Sequence, residues 1–198
     1  MERILVVLPN WFGETLFATP LLRALRRGAP GAFIATLGWP QCREVLLHNP
    51  DVDERLELDE RGAHRGMGGK RRLVEALRAR HADTAFLLRK SLTRSLMLAL
   101  AGIPARVGFD SVKSGWLLTR RAAAPSPPTH KAETYFALLR AVGIEAPLEP
   151  YTYTVSEGER RRARELLPRE GDGNQPLVIL HPGPTGRTNS GPPPGSPR

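Results

Sequence analysis

Residues 9–14, Pro-Asn-Trp-Phe-Gly-Glu, set a single carboxylate, Glu14, where an apolar run ends and a helical pattern begins. A carboxylate at such a junction can serve as a general base, taking the proton from an attacking hydroxyl. Gly13 beside it lets a ligand approach the backbone closely, and the free N–H groups of a starting helix suit an anion or an oxyanion. The same acid also complements the positive end of a helix dipole. Residue type and spacing leave both roles open. Cys42, the only cysteine, lies in WPQCREVL with no nucleophile signature around it, and it reads as a buried, inert thiol. The five histidines show no metal-ligand spacing, so no metal is expected.

The elements that would position Glu14 follow from periodicity. ILVVL (4–8) is a continuous apolar run of strand length, as a parallel strand covered on both faces requires. Residues 14–27 then repeat apolar side chains at helical spacing. FIATLG (33–38) reads as a second strand, PQCREVLLHN as a short helix with Pro40 in its first turn, and RLELD (55–59) as a third strand. Residues 60–69 are glycine-rich and read as a loop. KRRLVEALRAR is an amphipathic helix, DTAFLLR (83–89) a fourth strand, SLTRSLMLALAG (91–102) an apolar helix stopped by Gly102, and ARVGFD (105–110) a fifth strand. A proline-rich loop leads to a helix over 131–143 that stops at Gly143. Repeated strand–helix–strand units predict an α/β fold, a Rossmann-like open parallel sheet.

The bulk numbers agree with a folded domain. The chain has 198 residues, 40% hydrophobic and 25% charged, enough for one domain and part of another. No apolar stretch approaches the roughly 20 residues that span a bilayer. The apolar amino terminus carries no signal-peptide cleavage site and reads as a first strand. The net charge is +9, and all but four of its basic residues (Lys70, Lys90, Lys113 and Lys131) are arginines. An excess of this size fits an anionic partner, and it equally fits an arginine-rich composition on solvated faces. With only 6% aromatic residues and no aromatics interleaved with a basic stripe, nucleic acid is not expected as a partner.

Five segments, RILVVLPNWFGETLFATPLLRAL, NPDVDERLELD, KSLTRSLMLALAGIPARVGFD, HKAETYFALLRAVGI and LVILHPG, fall in the order and spacing of a known family. Over residues 1–183 the chain resembles the lipopolysaccharide heptosyltransferases of glycosyltransferase family 9, most closely the heptosyltransferase II branch. The resemblance implies a GT-B fold of two Rossmann-like domains facing across a cleft. It also implies transfer of heptose from ADP-heptose to the lipopolysaccharide inner core, with inversion and with neither cofactor nor metal. The acceptor side would supply the base directly after the glycine of the first loop, a position held here by Glu14. The family usually has aspartate there, so the carboxylate reaches one methylene further. Asn10 and Gly13 of that loop, and Lys90, Ser91, Thr93 and Arg94 in KSLTRS, correspond to acceptor-side positions; guanidinium and ammonium donors suit phosphorylated sugars. Arg106 and His130 are further acceptor-side candidates by resemblance. The plainer roles stay open beside these: Ser91 as a helix cap, Arg106 as a surface arginine, and Thr129 or His130 capping the long helix.

The resemblance also divides the chain. Residues 1–150 correspond to the acceptor-side domain. Residues 151–183 form an interdomain connection, with the charged helix EGERRRARELL, leading to QPLVILHPG (175–183), the first strand of a donor domain with His181 and Gly183 as donor-binding positions. Residues 184–198 are rich in proline and glycine, hold no aliphatic residue, and are expected to be disordered after a truncation or frameshift. A transferase needs both halves of its cleft, so this chain alone is expected to be inactive. The expected location is the cytoplasm, in peripheral contact with the inner membrane. The alternative from a different class is a non-catalytic basic domain that binds anionic glycolipid or nucleic acid.

Overall fold

The computed structural model describes residues 1–127 and 129–166, together with Val178 and Leu180. The chain divides into two units, Met1–Glu157 and Gly158–Arg198.

In the first unit six parallel strands form one open sheet: β1 (Arg3–Val7), β2 (Phe33–Gly38), β3 (Glu54–Glu57), β4 (Thr84–Leu87), β5 (Ala105–Phe109) and β6 (Arg120–Ala122). Their order is β3-β2-β1-β4-β5-β6. Central β1 pairs Leu5 with Ala35 on one side and with Ala85 on the other. Its alternate side chains enter two separate cores. Ile4, Val6 and Leu8 join one core, and Leu5 and Val7 join the other. This two-sided burial is why the strand is apolar at every position rather than at every second one.

Helices cover both faces: α1 (Phe12–Leu16), α2 (Thr19–Gly28), α3 (Pro40–Val45), α4 (Gly66–Arg78), α5 (Leu92–Leu100) and α6 (Lys131–Arg140). On the first face, Leu21, Leu22 and Leu25 of α2, Cys42 of α3, and Tyr135, Phe136, Leu138 and Leu139 of α6 are buried together. On the second face Leu73, Val74 and Leu77 of α4 meet Met97 and Leu98 of α5. Gly102 and Gly143 follow the ends of α5 and α6 with φ of +80° and +78°, a conformation that glycine adopts without a Cβ penalty. From the last residue of the first unit onward, α7 (Glu157–Leu166) is an arginine-rich helix with no buried residue.

Three elements differ from the sequence expectation. The helix over 14–27 is two helices, parted at Phe17 and Ala18. Pro20 has no N–H to continue the ladder, and the Leu16 carbonyl instead accepts from the Thr19 hydroxyl at 2.8 Å. The loop over 60–69 ends early, because α4 starts at Gly66. There Gly69 packs so closely on the preceding turn that a Cβ would lie 2.5 Å from the His64 carbonyl carbon. Asp59 holds the remaining loop by accepting from the backbone N–H groups of Ala63, Gly62 and Arg61. Those bonds, Ala63's and Gly62's foremost, keep its carboxyl below the usual range. Finally β6 has no counterpart in the sequence reading, since three residues of which two are arginines give no apolar signal. The strand and tail expected over 175–198 lie outside the described residues, apart from Val178 and Leu180.

Candidate active site

The strand order reverses between β1 and β4, so their carboxyl ends open the crevice where sheets of this kind bind ligands. The β1–α1 loop, carrying Asn10, and the first turn of α1, carrying Glu14, rise on one side of that point. The β4–α5 loop, carrying Lys90 and Ser91, rises on the other.

Glu14 lies in the first turn of α1, half-buried, with Oε1 3.4 Å from Lys131 Nζ. Lys131 opens α6, and Tyr135 stands one turn further along the same helix. Burial pushes the Tyr135 phenol well above its ordinary pKa, and the negative charge of Glu14 pushes it in the same direction. The carboxylate therefore faces a cation, and the buried phenol of Tyr135 is near enough to feel its charge. With only five residues in α1, the dipole reading of Glu14 has little helix behind it. Gly13 is open, since a Cβ there would meet nothing within 4 Å. Trp11 and Phe12 are exposed beside it.

Arg94 is buried at this edge of the sheet. It is 4% exposed, and its guanidinium donates to Leu8 O at 3.2 Å, Asn10 Oδ1 at 2.6 Å and Glu60 Oε2 at 3.1 Å. Glu60 Oε2 also accepts from Trp39 Nε1 at 2.9 Å, and the Arg61 guanidinium lies 5.3 Å from the centre of the Trp39 ring. One buried cation thus ties α5, the end of β1 and the loop after β3 into a single scaffold.

The remaining sequence candidates separate clearly. Lys90 and Thr93 are exposed at the edge. Ser91 caps α5, its Oγ accepting from Arg94 N at 3.4 Å. His130 caps α6, its Nδ1 accepting from Ala132 N at 3.3 Å, and it stacks edge-on against Phe17. Arg106 is a correction. It sits at the amino end of β5, across the sheet from the crevice, and donates to Leu117 O at 2.7 Å and Ile103 O at 2.5 Å. A guanidinium engaged with two carbonyls at the far edge cannot line the crevice. His181 and Gly183 lie outside the described residues. Glu60, Trp39, Lys131 and Tyr135 were missed. The last two carry a usable signal, the i, i+4 spacing of Lys131 and Tyr135, but the unread strand β6 hid which edge the start of α6 occupies.

One depression, of about 600 Å³, lies elsewhere. It opens at the amino edge of the sheet between Met1, Thr84, Pro104 and Gly143, and no acid or histidine lines it. Among the described residues no three His, Cys, Asp or Glu side chains gather as metal ligands would.

The fold and crevice define one Rossmann-like half of a GT-B glycosyltransferase. The model of "Glycosyltransferase family 9 (heptosyltransferase)" matches residues 70–189, and the chain belongs to that family. The chain is 30% identical over 166 residues to lipopolysaccharide heptosyltransferase 2 of Escherichia coli K12, covering 80% of this chain and 48% of that protein. It is 23% identical over 188 residues to lipooligosaccharide heptosyltransferase 2 of Haemophilus influenzae, covering 91% and 54%. The solved structure of E. coli ADP-heptose lps heptosyltransferase II superposes with a TM-score of 0.70 at 29% identity, covering 86% of this chain and 52% of that one. A family 9 glycosyl transferase from Veillonella parvula gives 0.74 at 23% identity, covering 83% and 48%, which shows the fold. The chain spans about half the length of the curated relatives it matches. The family match starts beyond Glu14, so the role of that residue rests on its geometry and on the first-loop resemblance.

Proposed function

We propose that this chain forms the acceptor side of an ADP-heptose:lipopolysaccharide heptosyltransferase, with Glu14 as the general base. The observation that carries the proposal is the half-buried carboxylate at the switch point of the sheet, steadied by Lys131 at 3.4 Å. In the reaction the acceptor hydroxyl oxygen forms a bond to the anomeric carbon of heptose while that carbon's bond to the ADP oxygen breaks. ADP leaves with the electron pair, and Glu14 takes the hydroxyl proton. Asn10, Gly13, Lys90, Ser91 and Thr93 surround the acceptor, whose phosphates suit the ammonium of Lys90. Arg94 acts one step back, by holding Asn10. The reaction runs at the cytoplasmic face of the inner membrane and uses no metal.

The test is transfer of labelled heptose from ADP-heptose to core-truncated lipopolysaccharide. It is run with this chain alone and with the carboxyl-terminal half of the E. coli heptosyltransferase 2 added as a second polypeptide. Transfer is expected with the added half, falling by about 100-fold or more on Glu14→Gln. Transfer indifferent to that change, or absent from both reactions, overturns the proposal.

A further inference from the structure

Away from the crevice, exposed basic and exposed apolar side chains occur together around α4 and α5, on the second face of the sheet. Residues 66–121 hold twelve lysines and arginines against only Glu75, Asp83 and Asp110. Of the twelve, Arg80 and Arg94 pair with Glu54 and Glu60 outside the stretch, and Arg106 is held by carbonyls at the amino edge. Lys70, Arg71, Arg72, Arg78, Arg89, Lys90 and Lys113 are exposed. This stretch runs from α4 to β6, and both of its helices pack on the second face of the sheet. The remainder of the chain is balanced.

Helix α5 carries an uncovered stripe in the middle of this charge. Leu92, Leu96 and Leu100, at i, i+4 and i+8, are 47%, 41% and 54% exposed. The side chains between them, Met97 and Leu98, supply the core. The 3-10 turn Gly115–Leu117 packs on α5 and presents Trp116 at 70% exposure. Basic groups stand around the stripe. Arg78 donates to Leu100 O at 2.7 Å at one end of the helix, and Lys90 precedes the other end. Lys113 and Arg121 flank the Trp116 turn. The acids nearby are engaged with arginines of the same face, Glu75 with Arg71 at 2.8 Å and Asp110 with Arg121 at 3.8 Å.

From this coincidence we propose that the α4–α5 face docks on an anionic lipid bilayer. Leu92, Leu96, Leu100 and Trp116 would enter the interface, and the surrounding arginines and lysines would contact lipid phosphates. A leucine row with an aromatic ring at its flank is what the boundary between headgroup and acyl chain accepts, and long basic side chains extend from such a row to the charged layer above. The positive field strengthens attachment to an anionic surface. The same field opposes a second copy of this chain, because each copy brings its own excess of like charge. A polyanion such as DNA would satisfy the arginines and leave the leucines in water. Because α5 starts at the carboxyl edge of the sheet, a docked stripe holds the Lys90–Ser91 end of the crevice beside the membrane. The proposal does not depend on the transfer reaction, and its test contains no sugar substrate.

The experiment is co-sedimentation of the full chain with vesicles of mixed phosphatidylglycerol and phosphatidylcholine, against vesicles of phosphatidylcholine alone and against duplex DNA. Binding to the anionic vesicles is expected, weakening as salt is raised. Leu96→Glu with Leu100→Glu is expected to lower the affinity by about tenfold or more. Leu47→Glu serves as the control: Leu47 is equally exposed, at 41%, but follows α3 on the other face. Circular dichroism confirms that each variant is folded. Equal loss in the control, binding unchanged in the double variant, or preference for neutral vesicles overturns the proposal. So does a dimer in gel filtration that the double variant dissolves, or DNA binding without vesicle binding.

Discussion

Lys131 Nζ stands 3.4 Å from Glu14 Oε1, joining the start of α6 to the first turn of α1 across 117 positions of sequence. Both side chains keep contact with solvent, so the pair adds little to stability; exposed ion pairs contribute about 0–1 kcal/mol. On the proposed role of Glu14, the value of the pair is orientation, since a base on a short helix gains from a partner that fixes its rotamer. Lys131→Met is therefore expected to leave the urea midpoint nearly unchanged while lowering heptose transfer, in the reaction with the added carboxyl-terminal half, by about tenfold. Glu14→Gln should lower transfer further, by about 100-fold or more. Comparable loss of stability and of transfer in Lys131→Met would assign the lysine to the fold instead.

Arg94 has the opposite balance. Its guanidinium is buried and satisfies Leu8 O, Asn10 Oδ1 and Glu60 Oε2 together. Truncation leaves the partly buried Glu60 carboxylate with one fewer donor and two oxygens unpaired, a loss of about 3 kcal/mol. Arg94→Ala is expected to show that loss in urea denaturation, and faster hydrogen exchange across residues 10–14. Arg94→Lys should recover only part of it, because an ammonium cannot present the planar fork that reaches three acceptors.

The sheet was legible because its strands are buried on both faces and written as apolar runs, β1 most plainly. Where packing rather than hydrophobicity decides, the reading stopped. Strand β6 is held by register with Val107–Phe109 and not by its own side chains, two of which are exposed arginines. The break between α1 and α2 comes from the missing donor of Pro20, which helical spacing alone does not register. In the site, Glu14 was visible as a carboxylate at a strand–helix junction. Arg94 was visible too, but as an acceptor-side candidate by resemblance. Its burial follows from a partner, Glu60, that lies 34 positions away in a segment without periodicity.

Tyr135 makes the alkaline limit of the fold readable. Burial, with the charge of Glu14 acting in the same sense, raises its phenol above the ordinary value of about 10. The folded state then keeps its proton where the unfolded chain releases it. The stabilisation is complete below about pH 10 and declines as pH rises above it. Tyr135→Phe cannot ionise, so its melting temperature should fall less than that of the wild type between about pH 9 and pH 11. An identical fall in both proteins would mean that the phenol is open to solvent.

Arg106 and Lys90 offer a paired contrast between the two edges of the sheet. Arg106 joins the start of β5 to the turn before β6 through Leu117 O and Ile103 O. Losing charge-assisted bonds to two carbonyls is expected to cost about 2 kcal/mol of stability. It should leave KM for the lipopolysaccharide acceptor unchanged, since the crevice is on the other side of the molecule. Lys90 is exposed at the crevice, so Lys90→Ala is expected to leave the urea midpoint within about 0.5 kcal/mol of wild type. If its ammonium meets an acceptor phosphate, KM should rise by about tenfold, equivalent to one charge-assisted bond. Measuring both variants for KM and stability separates the edges. A KM effect in Arg106→Ala without a stability effect would place the acceptor on the wrong side of the sheet, and would remove the geometric ground for Glu14 as base.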